Sequence, residues 1–196
     1  EIDKLFFDEY FLSILSLLAS ALTLVGIVFL RSFMAHNSIA KIIVILSLLS
    51  AFLFLPSIGM VYGFHIWTSS ITGGLVDAKF IAIINTALES PLGQVAMIPL
   101  LAWIAKNAPE NMKATFFAVF ASFTNLALSA SALGSKYLNQ IFVITREVKD
   151  KVTGNIVSSA DYSELGILMI TVALVTLCIP IATIFIVQNS KYKSEE

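Results

Sequence analysis

The residues best suited to chemistry lie inside one apolar segment, residues 80–105. This segment is long enough to cross a bilayer, and its polar and helix-breaking residues are Asn85, Glu89, Pro91, Gln94 and Pro99. A carboxylate in hydrocarbon costs about 2.5–3.5 kcal/mol on insertion scales, so a segment that only anchored the chain would be more stable with leucine at position 89. Polar side chains persist at this depth beside cavities that hold water or substrate. The pattern therefore favours a transport pathway next to this helix.

Asn85 and Glu89 are four residues apart and share one face of a helix. Pro91 removes a backbone hydrogen bond and predicts a kink within one turn of the acid. We interpret Glu89 as a proton acceptor or as a partner for an amine-bearing substrate; the alternative is a buried acid that pairs with a neighbouring helix. Gln94 lies off this face and reaches the same cavity only if the kink rotates the residues after it, and its alternative role is a hydrogen bond between helices.

A second set of polar residues lies in the segment 114–142, where Ser122 and Asn125 share a face. Asn125 is a candidate for contact with substrate or with a gate, and Ser122 lies beside it on the same pathway. Small residues spaced four apart predict close helix packing instead, as at Ala127, Ser131 and Ser135. The first apolar segment has a hydroxyl stripe that we also assign to packing, formed by Ser13, Ser16, Ser20 and Thr23.

The composition indicates an integral membrane protein. Of the 196 residues, 58% are hydrophobic and 13% are charged, and the mean hydropathy is +0.89. Soluble domains contain about 45–50% apolar and about 25% charged residues. The formal net charge of -1 offers no basic surface for phosphates, so nucleic acid is excluded as a partner and the lipid bilayer is expected.

Five continuous apolar runs are long enough to cross about 30 Å of hydrocarbon. They cover residues 11–30, 39–64, 80–105, 114–142 and 165–188. The predicted fold class is therefore all-α, with about five transmembrane helices in a multi-pass protein. Residues 31–38 and 106–113 are predicted to be short turns, and residues 65–78 a longer linker. In the charged segment 145–163, Thr153-Gly154-Asn155 indicates a turn that could close a small hairpin.

Sequence motifs for catalysis are absent. The chain has no Gly-rich phosphate loop, no Cys-x-x-Cys pair, no Gly-x-Ser-x-Gly elbow and no His-Glu-x-x-His pair. His65 lies near the end of a predicted span without a second ligand beside it, which is typical of an interfacial residue rather than a metal site. We therefore expect no enzymatic activity, no metal and no cofactor.

Two groups of residues together resemble a known family. The first comprises Pro99, Pro109, Ala114-Thr115-Phe116-Phe117-Ala118 and Ser122-Phe123-Thr124-Asn125-Leu126. The second comprises Ile144-Thr145 and Asp161-Tyr162-Ser163-Glu164-Leu165. This pattern resembles the folate–biopterin transporter family of the major facilitator superfamily. The chain departs from the pattern in the charged insert between the two parts of the second group, at Glu164, where asparagine is expected, and at Lys113, where glutamate is usual.

The resemblance implies that residues 1–196 are the C-terminal portion of a twelve-helix major facilitator bundle, whose N-terminal transmembrane helices are absent here and act as partners. It also implies proton-coupled uptake of folate- or pterin-like small molecules by alternating access, in the plasma or inner membrane. The alternative is a non-transporting membrane scaffold or subunit that partners other membrane helices. No lysine or arginine lies in the middle of a span, so an anionic substrate needs a charge partner at Lys79, Lys113 or Lys136, or in the missing helices.

Overall fold

The computed structural model describes residues 7–93, 95, 97–145, 147–149 and 156–191. Its α-helices are α1 (Glu9–Phe29), α2 (Arg31–His36), α3 (Ile39–Val61), α4 (Phe64–Ile71), α5 (Ala78–Glu89), α6 (Met97–Asn107), α7 (Lys113–Ile141) and α8 (Leu165–Gln188). Short 3-10 turns lie at Ser90–Leu92 and Glu110–Met112, and the strands are β1 (Val148–Lys149) and β2 (Ile156–Ser158).

Within the part of the chain that the structure describes, five segments are long and apolar enough to cross a membrane. They are Glu9–Phe29, Ile39–Val61, Ala78–Asn107, Glu110–Ile141 and Leu165–Gln188. The prediction of an all-α membrane protein with about five transmembrane helices is therefore confirmed. The third segment is not one continuous helix, because the 3-10 turn at Ser90–Leu92 follows α5.

Helix boundaries follow from local chemistry. Asp8 and Asp77 cap α1 and α5 by accepting the backbone N–H groups three residues later, at 2.6 and 2.8 Å. The second span was predicted to reach residue 64, but α3 ends at Val61 and Gly63 adopts a φ of +85°, a left-handed conformation that glycine adopts readily.

The two predicted connections around the second span contain short helices. Residues 31–38 include α2, and the first half of the predicted linker 65–78, residues 65–71, belongs to α4. These helices have 6 and 8 residues, too few to produce a membrane-length apolar run. The criterion that found the five spans therefore could not detect them.

The chain divides into two units, and the first comprises Glu1–Ala102 together with Val172–Glu196. A buried cluster in this unit joins the N-terminal parts of α1 and α5 through Leu15 and Ala82, together with Phe7, which precedes α1. Lys79 reinforces the contact, because its Nζ lies 4.0 Å from Asp8 Oδ2. Helices α1 and α5 therefore begin at the same end of this unit.

The second unit, Trp103–Thr171, contains α7 and a β-hairpin. Strands β1 and β2 pair antiparallel, with Val148 opposite Ser158. Thr145 and Asp161 extend the pairing through reciprocal backbone hydrogen bonds of 3.1 and 3.0 Å. The predicted hairpin is confirmed by this pairing, while its predicted turn, Thr153-Gly154-Asn155, lies outside the described residues.

Candidate functional site

The site is built on the break that follows α5. Helix α5 ends at Glu89, and Pro91 occupies the 3-10 turn Ser90–Leu92. Proline has no N–H to donate and its ring clashes with the preceding turn of a regular helix, so the α-helical pattern stops there. The Ser90 hydroxyl donates to the carbonyl of Thr86, which satisfies one carbonyl in the last turn of α5. Glu89 consequently lies at the end of a helix rather than in the middle of one.

Helix α1 packs directly against this break. The Thr23 hydroxyl lies 2.9 Å from the Ser90 carbonyl oxygen and 2.8 Å from the Ala19 carbonyl oxygen of its own helix, and its one hydrogen is shared between these two acceptors. Three residues along, Gly26 is buried, and a Cβ placed on it would lie 2.5 Å from Pro91 Cα. A small residue lets the two backbones approach this closely. The hydroxyl stripe of the first span therefore contributes to packing at Thr23. Ser13 and Ser20, like Thr23, also bond to carbonyls of their own helix.

Asn85 and Glu89 share a face of α5, as their spacing predicts. Asn85 Nδ2 lies 3.4 Å from Glu89 Oε2, a long hydrogen bond, and Glu89 itself is exposed. Asn85 Oδ1 is buried and has no hydrogen-bond partner among the described residues. The amide therefore orients towards the carboxylate without neutralising it.

A cleft of about 510 Å³ opens beside Glu89, within the first unit. Its lining residues come from α3, from the break after α5 and from α8, and they are Ile43, Leu46, Ser47, Ser50, Phe54, Glu89, Leu92, Gly93, Val172 and Thr176. We call this the Glu89 cleft. Its size falls within the range of about 300–1,000 Å³ that is usual for small-molecule sites. Its mainly apolar walls and few polar groups also fit that class of site.

Asn85 lines a different cleft of about 500 Å³, on the α3–α4 side of α5. Its other lining residues are apolar: Phe52, Leu53, Leu55, Pro56, Gly59, Phe64, Val76, Phe80, Ile81, Ile84 and Leu88. The two predicted pathway residues on α5 are thus in contact with each other but face two clefts.

The remaining predicted site residues are Gln94, Ser122 and Asn125. Gln94 lies outside the described residues. Ser122 and Asn125 lie on α7 in the second unit, where both are exposed and Ser122 donates to the carbonyl of Ala118 at 2.9 Å. Their assignment to a substrate pathway stays a prediction.

Three polar residues of the Glu89 cleft were missed as site residues. Ser47 and Ser50 lie three apart on α3 in an otherwise apolar run, a spacing that places them near one face. Thr176 lies on α8, whose sequence indicated only a membrane-length apolar run. The serine spacing was a usable signal, whereas nothing in the sequence of α8 indicates that Thr176 comes near Glu89.

Acidic and metal-ligating residues also occur outside the Glu89 cleft. No group of three or more His, Cys, Asp or Glu residues able to hold a metal ion occurs among the described residues. Outside the spans, the backbone N–H and then the hydroxyl of Ser163 donate to Asp161, and these bonds lower the pKa of that carboxyl below its usual value. Asp161 thus orders the approach to α8 rather than serving as a proton carrier near neutral pH.

Comparison with known proteins places the chain in a family. No curated protein and no solved structure matches it. The family model of the BT1 family, the folate–biopterin transporters, matches residues 2–196. This match agrees with the resemblance carried by the residues around Ala114-Thr115-Phe116-Phe117-Ala118, and it extends over both units. Because nearly the whole chain is matched, the protein belongs to the BT1 family of membrane transporters.

Proposed function

We propose that this protein is part of a secondary active transporter that takes up folate- or pterin-like small molecules in symport with protons. Membership of a transporter family implies a non-enzymatic, multi-pass membrane protein. The observation that carries the finer proposal is the position of Glu89, an exposed carboxylate at a helix break inside a membrane-length segment, beside a cleft of about 510 Å³. An acid at membrane depth marks ion and substrate paths.

Glu89 is the proposed proton carrier. Its one hydrogen bond to a described residue is the long contact with Asn85, so either protonation state can be accommodated without breaking a buried network. Loss of the charge on protonation lowers the cost of enclosing the group when the cleft closes. Proton binding and substrate binding can then be coupled through the same cavity.

The five membrane-length segments fit the last five helices of a twelve-helix major facilitator bundle, in the plasma or inner membrane. In such transporters two bundles rock around a site near the middle of the membrane. We propose Asn85 and Gln94 as further residues of the pathway, with Ser122 and Asn125 contributing from α7. The N-terminal transmembrane helices of the same protein would form the facing bundle.

The test is uptake of labelled folate and pterin by the full-length protein in vesicles, with and without an inward proton gradient. Glu89→Gln is expected to reduce gradient-driven accumulation at least tenfold while exchange of internal for external substrate continues. The matched control is Glu9→Gln, because Glu9 is an exposed acid in the first turn of α1, outside the cleft.

Two results would refute the proposal in different ways. Accumulation by Glu89→Gln with an unchanged dependence on pH would exclude this acid as the proton carrier. Absence of uptake by the correctly folded wild-type protein would support the scaffold alternative.

A further inference from the structure

Among the described residues that line the Glu89 cleft, the polar side-chain atoms are all oxygens. They are the carboxylate of Glu89 and the hydroxyls of Ser47, Ser50 and Thr176. Among the described residues that line this cleft, none is lysine, arginine or histidine. A carboxylate-bearing group would therefore meet the carboxylate of Glu89 and find no compensating cation among these described lining residues.

The hydroxyls of Ser47 and Thr176 are committed as donors to their own helices. Ser47 Oγ lies 2.8 Å from the Ile43 carbonyl oxygen, and Thr176 Oγ1 lies 2.9 Å from that of Val172. A carbonyl oxygen carries no hydrogen, so the hydroxyl must be the donor in each pair, and it has only one hydrogen to give. What these two side chains can offer a ligand is their oxygen lone pairs.

Glu89 adds to this acceptor surface. An ionised carboxylate has room for about four hydrogen bonds, and Asn85 supplies one at the long distance of 3.4 Å. With these two hydroxyls already donating elsewhere, the cleft presents several acceptors and few free donors. A ligand that covers this surface is expected to supply hydrogen-bond donors such as N–H groups, because acceptors that the ligand shields from water and leaves without donors destabilise the complex.

From this geometry we propose that the Glu89 cleft binds the nitrogen-rich ring of the substrate through adjacent N–H groups, as on an aminopyrimidine edge, and does not bind its carboxylate tail. The inference rests on the proposed function and specifies which end of the substrate this site recognises. Apolar side chains such as Leu46, Phe54 and Leu92 form walls against which a flat heterocycle can pack.

The experiment measures competition against labelled folate uptake by the full-length protein in vesicles, with three unlabelled probes. Pterin carries a ring amino group, lumazine replaces that group with an oxo group, and 4-aminobenzoylglutamate is the tail without the pteridine ring. We expect pterin to compete at least tenfold better than lumazine, and the tail fragment not to compete through this site.

Variants connect the preference to the cleft. Thr176→Val keeps the shape of the side chain and removes an acceptor, so the inhibition constant of pterin should rise at least threefold while that of lumazine changes little. Thr183→Val is the matched control, because Thr183 lies on the same helix, donates likewise to the Ile179 carbonyl at 2.8 Å and does not line the cleft. Ser47→Ala provides a second, independent removal of an acceptor.

The outcomes separate the two proposals. If folate uptake is driven by protons but lumazine competes as well as pterin, the inference is wrong and the proposed function stands. The inference is equally wrong if Thr176→Val weakens competition by the tail fragment instead of competition by pterin. If folded wild-type protein takes up neither folate nor pterin, the proposed function fails and the inference fails with it.

Discussion

Replacement of Gly26 by alanine should destabilise the protein through one contact. The added Cβ would lie 2.5 Å from both Cα and Cβ of Pro91 and 2.7 Å from its carbonyl oxygen. These are backbone and ring atoms that cannot rotate away, so α1 or the break after α5 must move. Overpacking of this kind costs about 1–3 kcal/mol. It opposes the gain of about 0.5–1 kcal/mol that alanine normally brings over glycine within a helix.

Gly134→Ala in α7 isolates the steric cost. An added Cβ at Gly134 meets no described atom within 4 Å, so this variant should gain the helical preference alone. Both variants gain the same helical preference of alanine over glycine, so the difference in their stability contains only the steric cost. Gly26→Ala should therefore be less stable than Gly134→Ala by about 1–3 kcal/mol. Thermal unfolding of the purified full-length protein measures that difference.

Uptake provides a second measurement, because the displaced turn carries Glu89. A shift of the break moves the carboxylate relative to Ser47 and Thr176, which lie on other helices of the cleft. We expect Gly26→Ala to reduce proton-driven folate uptake more than Gly134→Ala does at equal amounts of folded protein. Equal stability and equal uptake in the two variants would refute the packing of α1 against Pro91.

Two further predictions concern single hydrogen bonds. Thr23→Val removes the donor to the Ser90 carbonyl and should lower the free energy of unfolding by about 0.6 kcal/mol, the mean for interhelical hydrogen bonds in membranes. Thermal unfolding of this variant and of the control Thr183→Val tests the prediction, and equal stability of the two variants would contradict it. The hydrogen bonds from Ser163 lower the pKa of Asp161 in the folded protein. They therefore stabilise the segment before α8 at pH values above about 3.9, the usual pKa of aspartate in an unfolded chain. This stabilisation is lost as the pH falls through the lower pKa of the folded state. Hydrogen exchange at the Ser163 N–H should show this loss in wild type but not in Asp161→Asn, and identical pH profiles would disprove it.

The five spans could be predicted because each is a continuous apolar run, and hydrophobic length is the dominant requirement for crossing a bilayer. The break after α5 was foreseeable as a kink, since Pro91 cannot continue the hydrogen-bond pattern. The short helices α2 and α4 were not, because helices of 6 and 8 residues depend on tertiary contacts and caps.

The candidate site was predictable only within one helix. The spacing of Asn85 and Glu89 fixes a shared face, and the structure places their side chains in contact. Ser47 and Thr176 reach the same cleft from α3 and α8, and their proximity depends on how those helices pack around α5. The strongly apolar character of both helices, with mean hydropathies of 2.5 and 2.7, conceals such a contact in the sequence.

Two features that are separate in the sequence, the proline after α5 and the glycine in α1, act on one group. Pro91 ends the helix at Glu89 and also provides the surface on which Gly26 packs, so the residue that exposes the acid also fixes its position. Because the contact between Gly26 and Pro91 lies two residues from Glu89, we expect changes in the packing of the first span at this point to alter the position of the carboxylate in the Glu89 cleft.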